Sequence, residues 1–348
     1  MSSSPSAVIA RDGFEVRLAS EADRRHVIDL IREMIPGVAA DQRLAWMYEQ
    51  NPAGRALTWL ASENGEVAGC TSYFPWRLQL DGEPVMCALG GDGYVRPKFR
   101  RRGLGGLMHE AARADMSKNR IGCMYGAPGA MNVTPLKHGG SREVGHVSRW
   151  ARPLRGAAIG IAKQPFDRML RSVLRPRFAA SLEPMQRGDA RVDAVWAAFA
   201  PTVGVAAIRD AAFYTWRFLD APAHKQVASV ITDRGTPIGA CALEVIDEGR
   251  ALRILDLIAI PGAWITCLAA ITRWGADNTD CKHVDIKLMA LDGRRRSMWR
   301  AGFMERDSKP FLCVIPVDGG DRRFLDPLRW FYSGADSDVD SFDLPSVS

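Results

Sequence analysis

No C-x-x-C pair occurs in the 348 residues, and the seven cysteines (70, 87, 123, 241, 267, 281 and 313) are scattered and odd in number. That pattern excludes a disulfide framework or a structural zinc site and points to a reducing compartment, with no metal called for. No run reaches the roughly 18 apolar residues that a membrane span needs. Met1 to Phe14 also lacks the apolar stretch of a secretory leader. A cytoplasmic protein with no membrane partner is the expectation. The formal charge of +6 is compatible with an anionic ligand but too small to require nucleic acid.

Two familiar phosphate motifs are missing as well. No Lys-Ser or Lys-Thr follows a glycine loop, which excludes a P-loop. Gly103-Leu104-Gly105-Gly106-Leu107-Met108 has Met108 where a dinucleotide fingerprint needs its third glycine. What is present is a different anion turn. An apolar run, Val85 to Leu89, reads as a strand, and Leu104, Leu107, Met108 and Ala111 recur at helical spacing. Between them stand Pro97, Arg100, Arg101, Arg102, Gly103, Gly105 and Gly106. Glycines let successive N–H groups converge on a phosphate, and a helix start adds orphan donors and a positive dipole end.

Val95, Pro97, Arg100, Gly103 and Gly105 form V-x-P-x-x-R-x-x-G-x-G. This resembles the GNAT acyltransferase family, whose turn of this form holds the pyrophosphate of acetyl-CoA. The resemblance implies a cofactor site made by Tyr94, Val95, Arg100, Arg101, Arg102, Gly103, Leu104, Gly105 and Gly106. Backbone groups near Tyr94 and Val95 would pair with the pantetheine amides. Asn132 matches the asparagine of the family's N-x-x-x-x-x-(K/R)-x-G segment and would also bond the cofactor. Asp92 is the candidate general base, with capping or pairing to Arg96 or Arg102 as its alternative role. Where relatives carry a tyrosine acid this chain has Pro135 or Leu136, so Tyr125, Tyr94 and His138 are the substitutes, Tyr125 first.

The implied fold is α/β (α+β), a mixed and mostly antiparallel central sheet flanked by helices. Element signals fit that order. Ser20 and Asp23 offer a capping box, and Glu63-Asn64-Gly65 reads as a hairpin turn. Leu78 onward reads as a separate strand, and Ile121 to Tyr125 as the strand after the motif helix. Gly90, Gly91 and Gly93 suggest a bulge or close ligand approach.

The second half repeats the first. Trp46 and Trp216, Tyr48 and Phe218, Pro52 and Pro222, and Gly65 and Gly235 all lie 170 residues apart. Asp92-x-x-Val95-x-Pro97 is echoed by Asp256-x-x-Ala259-x-Pro261. Constant offsets of this kind suggest tandem domains. Expected boundaries are a loose segment at 1–12, the acyl-CoA-binding catalytic domain at 13–150, a basic connection at 151–182, a degenerate domain at 183–316, and a C-terminal segment with an acidic tail at 317–348. Trp264 and Ile265 replace the open turn in the second half, so one cofactor site is expected.

The expected activity is transfer of an acetyl or other short acyl group from acyl-CoA to a primary amine of a small molecule or amino sugar. A CoA-sensing or polymer-binding module and an aminoacyl-transferase-like enzyme are the alternatives. His109, Glu110 and Arg294 to Arg296 are expected to be solvated, and the tail beyond Tyr332, with Asp336, Asp338, Asp340 and Asp343, to fray, with cover of the acceptor cleft as its alternative role. Oligomeric state stays open, a dimer included.

Overall fold

The computed structural model describes residues 8–138, 140–159, 180–222, 226–290, 293–317 and 320–338. The first half runs β1 (Ile9–Arg11), β2 (Phe14–Leu18), α1 (Arg24–Met34), α2 (Ala40–Arg43), β3 (Leu57–Glu63), β4 (Glu66–Leu80), β5 (Glu83–Val95), α3 (Leu104–Lys118), β6 (Cys123–Gly126), α4 (Ala130–His138) and β7 (Arg142–Pro153). The second runs β8 (Ser181–Pro184), α5 (Ala190–Phe199), β9 (Val205–Ala207), α6 (Ala211–Tyr214), β10 (Gln226–Asp233), β11 (Thr236–Ile246), β12 (Ala251–Ala259), α7 (Trp264–Asn278), β13 (His283–Ala290), α8 (Arg294–Arg300) and β14 (Met304–Pro316). Short β15 (Phe331–Ser333) follows. Apart from the edge strand β1 and the added β9, the second half repeats the order of the first.

Local chemistry explains much of this. Ser20 and Asp23 form the capping box that starts the first helical segment, with Ser20 N donating to Asp23 Oδ2 at 2.8 Å. Asn64-Gly65 and Arg234-Gly235 both take left-handed dihedrals (φ +50° and +81°, +51° and +80°). Those are the dihedrals of the two-residue hairpin turn that matches strand twist. The equivalent hairpins of the two halves therefore turn the same way. Several sequence expectations shift. Ile9–Arg11 pairs with β2 and is not loose. The strand expected from Leu78 is the end of a single 15-residue β4.

The strands form one sheet, ordered β1-β2-β3-β4-β5-β6-β14-β7-β13-β12-β11-β10-β8, with β15 on β13 and β9 on β4. Within each half the fifth and sixth strands are parallel neighbours. The last strands are exchanged: β14 pairs with β6, β7 pairs with β13, and β7 and β14 pair with each other. Residue 150 thus lies inside a central strand that binds the second half, and the chain leaves β7 only after Pro153. Arg171, Arg175 and Arg177 of the expected connection lie outside the described residues.

The repeat meets itself at one point. Both α2 and α6 continue into a wide π turn, Leu44–Glu49 and Thr215–Leu219. Trp46 and Trp216 stack there with ring centroids 5.5 Å apart. Each indole donates to the other's carbonyl, Trp46 Nε1 to Trp216 O at 2.7 Å and Trp216 Nε1 to Trp46 O at 3.0 Å. A residue touching its own repeat equivalent reciprocally is the mark of a two-fold contact. The halves are pinned further by the segment after β15, where Arg43 of the first half donates Nη1 to Asp338 O at 3.4 Å and Arg217 of the second donates Nη2 to Ser337 O at 2.5 Å. Buried Arg209 holds Asp256 and Asp336 together, and Ser333 Oγ donates to Asp256 at 2.7 Å. The chain through Asp336 is therefore buried structure and not a frayed end.

Candidate active site

The described residues enclose a cavity of about 700 Å³ in the first half, lined from α1, β4, β5, α3, β6, α4, β14 and the C-terminal segment. Its shape follows from two strands that part. β5 and β6 pair only at Ala88–Met124 and Leu89–Tyr125. From Gly90 and Gly126 onward they diverge, and the opening is the cavity. Asp92 stands in it at φ +46°, where the register of β4 and β5 also slips, so the expected bulge is present.

At the wide end lies the anion turn. Gly103 caps α3 at φ +77°, and no atom stands within 4 Å of where its Cβ would be. Tyr94, Val95, Arg100, Arg101, Gly103, Leu104, Gly105, Gly106 and Asn132 all line the cavity; Arg102 does not. The three arginines have separate roles. Arg102 is turned to Glu63, Nη1 to Oε2 at 3.0 Å, and lies over Phe14. Arg100 donates through Nε to Val95 O at 2.8 Å and packs over Tyr94. Arg101, exposed and at φ +63°, forms no ion pair among the described residues. That leaves Arg101 as the cation open to an anion, a distinction three adjacent arginines do not reveal in sequence.

Toward the other side of the sheet the cavity becomes acidic. Asp92 is 5 % exposed and held by both oxygens. Arg43 donates Nη2 to Oδ1 at 2.6 Å and Nε to Oδ2 at 2.9 Å, and Tyr48 donates its hydroxyl to Oδ2 at 2.7 Å. The expected partners Arg96 and Arg102 go elsewhere, Arg96 to Glu33. A second carboxylate, which the sequence placed only in the acidic tail and not among the site residues, sits beside it. Asp338 Oδ2 lies 3.5 Å from Arg43 Nη2 and occupies the space of a side chain at Gly91, 2.4 Å from where a Cβ would be. Burial first, and Asp92 second, push the Asp338 carboxyl up to about 6, with Arg43 opposing. Its only sequence signal was the cluster of acidic residues in the tail; Asp340 and Asp343 of that cluster lie outside the described residues.

Two tyrosines flank the apex where the strands part. Tyr125 is buried, its ring against Trp330, and its hydroxyl has no hydrogen-bond partner among the described residues. Burial raises it well above an ordinary phenol, so it keeps its proton. Tyr73 shares a 2.9 Å hydrogen bond with His109 Nδ1. His109 was expected to be solvated and instead lines the cavity, because α3 turns that edge toward the sheet; Glu110 beside it pairs with Arg11.

Among the described residues, the second half is filled where the first is open. Trp264 starts α7 and is buried, and Arg294 lies over the rings of Phe199, Trp264 and Phe331 instead of being solvated. Asp256, the echo of Asp92, is bound by Arg209 and by Tyr214 at 2.9 Å, a buried carboxylate with the same kinds of partner. Among the described residues no group of His, Cys, Asp and Glu could hold a metal ion, and no helix is long and apolar enough to cross a membrane.

Residues 15–134 match the acetyltransferase (GNAT) domain family. Together with the strand-turn-helix anion site, this identifies residues 15–134 as a GNAT domain. No curated protein matches the sequence. Among solved structures, a conserved protein of unknown function from Enterococcus faecalis V583, described as a probable N-acyltransferase, is 12% identical. It aligns over 88% of this chain and 73% of its own, with a TM-score of 0.66. A GCN5-related N-acetyltransferase from Anabaena variabilis is 15% identical over 87% of this chain and 72% of its own, TM-score 0.65. Eis1 from Mycobacterium abscessus is 15% identical over 88% and 74%, TM-score 0.57. At these identities the likeness is one of fold.

Proposed function

We propose that the chain is an acyl-CoA-dependent N-acyltransferase, using acetyl-CoA or another short acyl-CoA, with a primary amine of a small molecule or amino sugar as acceptor. The observation that carries this reading is that the anion turn and an acidic pocket open into one cavity from opposite ends. A phosphate-bearing donor suits the first, and a cationic amine suits the second.

Transfer forms a C–N bond and breaks a C–S bond, so the amine must lose a proton and the thiolate must be stabilised or gain one. Asp92 was the sequence candidate for the base. Both its oxygens are occupied, and taking a proton there would disturb Arg43 or Tyr48. Asp92 is better suited to orient Arg43. Asp338, more loosely held and with its carboxyl near 6, is the group we assign as base. Tyr125, protonated and with an unused hydroxyl, is the acid for the thiolate. Donor phosphates would be held by Arg101 and the backbone of Gly103 to Gly106, with Asn132 along the arm. Localisation is read as cytoplasmic, from composition alone.

The test is Asp338→Asn. Amine acetylation should fall by about a hundredfold, with acetyl-CoA affinity unchanged, because only proton transfer is removed. In the native enzyme the rate should rise with pH through about 6, as the carboxyl ionises, and the variant should lose that limb. The stability sign is opposite. Folding raises this carboxyl from 3.8, so the stabilisation it gives is complete below that value and is lost as pH rises through about 6. A variant as active as the native enzyme, with the same pH profile, would remove Asp338 from the mechanism.

A further inference from the structure

The apex of the cavity, where β5 and β6 separate, is closed on the α3 side by a side chain with no role in the chemistry above. Tyr73 stands opposite Gly90 on the neighbouring strand. Its ring crosses over that glycine, with Cε1 3.1 Å from where a Cβ at 90 would be. Gly90 thus leaves room for the Tyr73 ring to reach the point where the strands part. The ring is fixed at both ends. Its face meets Trp59 edge-on at 6.0 Å, and its hydroxyl is tied to His109 on α3. Burial drives His109 down to about 4, so the imidazole is neutral and the tether does not change near pH 7. The ring belongs to one buried apolar cluster with Ala88, Met108 and Met124. Without the ring, the apex would continue into apolar space.

The acyl-CoA reading fixes what would meet this wall. The donor enters at Arg101–Gly106 and runs along β5 past Val95 and Tyr94. At about 3.3 Å per residue, Gly90 lies about 16 Å farther along the strand than Val95. The group that arrives there is the far end of the donor, its acyl chain. We infer that Tyr73, tethered by His109, is the stop that limits acyl length. It holds the site to short chains because a longer one would collide with a ring that cannot swing aside. This rests on the proposed acyl-CoA activity, but the ligand comparison separates the two.

The experiment needs no acceptor. Affinities of CoA, acetyl-CoA and hexanoyl-CoA are measured by calorimetry on the full chain, native and Tyr73→Ala. The native protein should bind hexanoyl-CoA about tenfold more weakly than acetyl-CoA, and Tyr73→Ala should erase or reverse that ratio, methylenes in an apolar pocket being worth at least this much. Affinity for CoA itself should not move. His109→Ala, which frees the ring without removing it, should give a smaller change of the same sign. Should Tyr73→Ala fail to fold, Tyr73→Val is read in the same way. A folded variant that binds CoA normally and keeps the native ratio overturns the inference while leaving the acyltransferase reading intact. Failure of the native protein to bind any of the three overturns that reading, and this inference with it.

Discussion

Replacing Gly103 with valine is expected to abolish acetyl-CoA binding while the protein stays folded. The position has φ +77° and empty space around it, so a side chain there meets no protein atom. Two effects then act on binding. A β-branched residue resists the left-handed conformation, which shifts the start of α3 and the N–H groups it presents. The added methyls also fill the space through which those groups reach a phosphate. A pyrophosphate deprived of these donors loses several kcal/mol. Arg101→Ala should weaken binding less, by about 1–3 kcal/mol, the scale of one charge-assisted contact. Arg102→Ala should leave it nearly unchanged, because that side chain serves Glu63.

Arg43→Leu is expected to cost a large part of the protein's stability. Arg43 is 1 % exposed and donates to both oxygens of Asp92. Leucine would leave a buried carboxylate with only Tyr48 for a partner, and it would release the C-terminal segment that Arg43 holds at Asp338. Breaking such a pair from one side costs about 3–5 kcal/mol. Thermal melting should show a large downward shift. Asp92→Asn combined with Arg43→Leu should recover part of it, because the stranded charge is gone. A melt within a degree or two of native would mean that the pair carries little of the fold.

The anion turn was legible in sequence because its parts are consecutive. Strand, turn and helix start lie within Val85 to Ala111, and glycine, proline and arginine each have a local reason to be there. The tryptophan pair was also visible, through the constant offset, although only the structure shows the two rings touching. The acidic end of the cavity was not legible. Arg43 reaches Asp92 across 49 residues and the Asp338 carbonyl across 295, and no periodicity encodes such a meeting. Asp92 stood out because glycines surround it, yet its partners, not its neighbours, decide what its oxygens are free to do. His109 was read as solvated because helical spacing assigns faces only once it is known which edge overhangs a cavity. The exchange of β7 and β14 is invisible for a related reason: strand propensity does not name a strand's neighbour.

One acetyl-CoA per chain, bound at the turn of the first half, is the central claim, and calorimetric titration tests it most directly. The native chain should give a stoichiometry near one, although its fold repeats, because Trp264 and Arg294 fill the second half where the first is open. Gly103→Val should give no measurable binding. A stoichiometry near two, or tight binding that survives Gly103→Val, would contradict it.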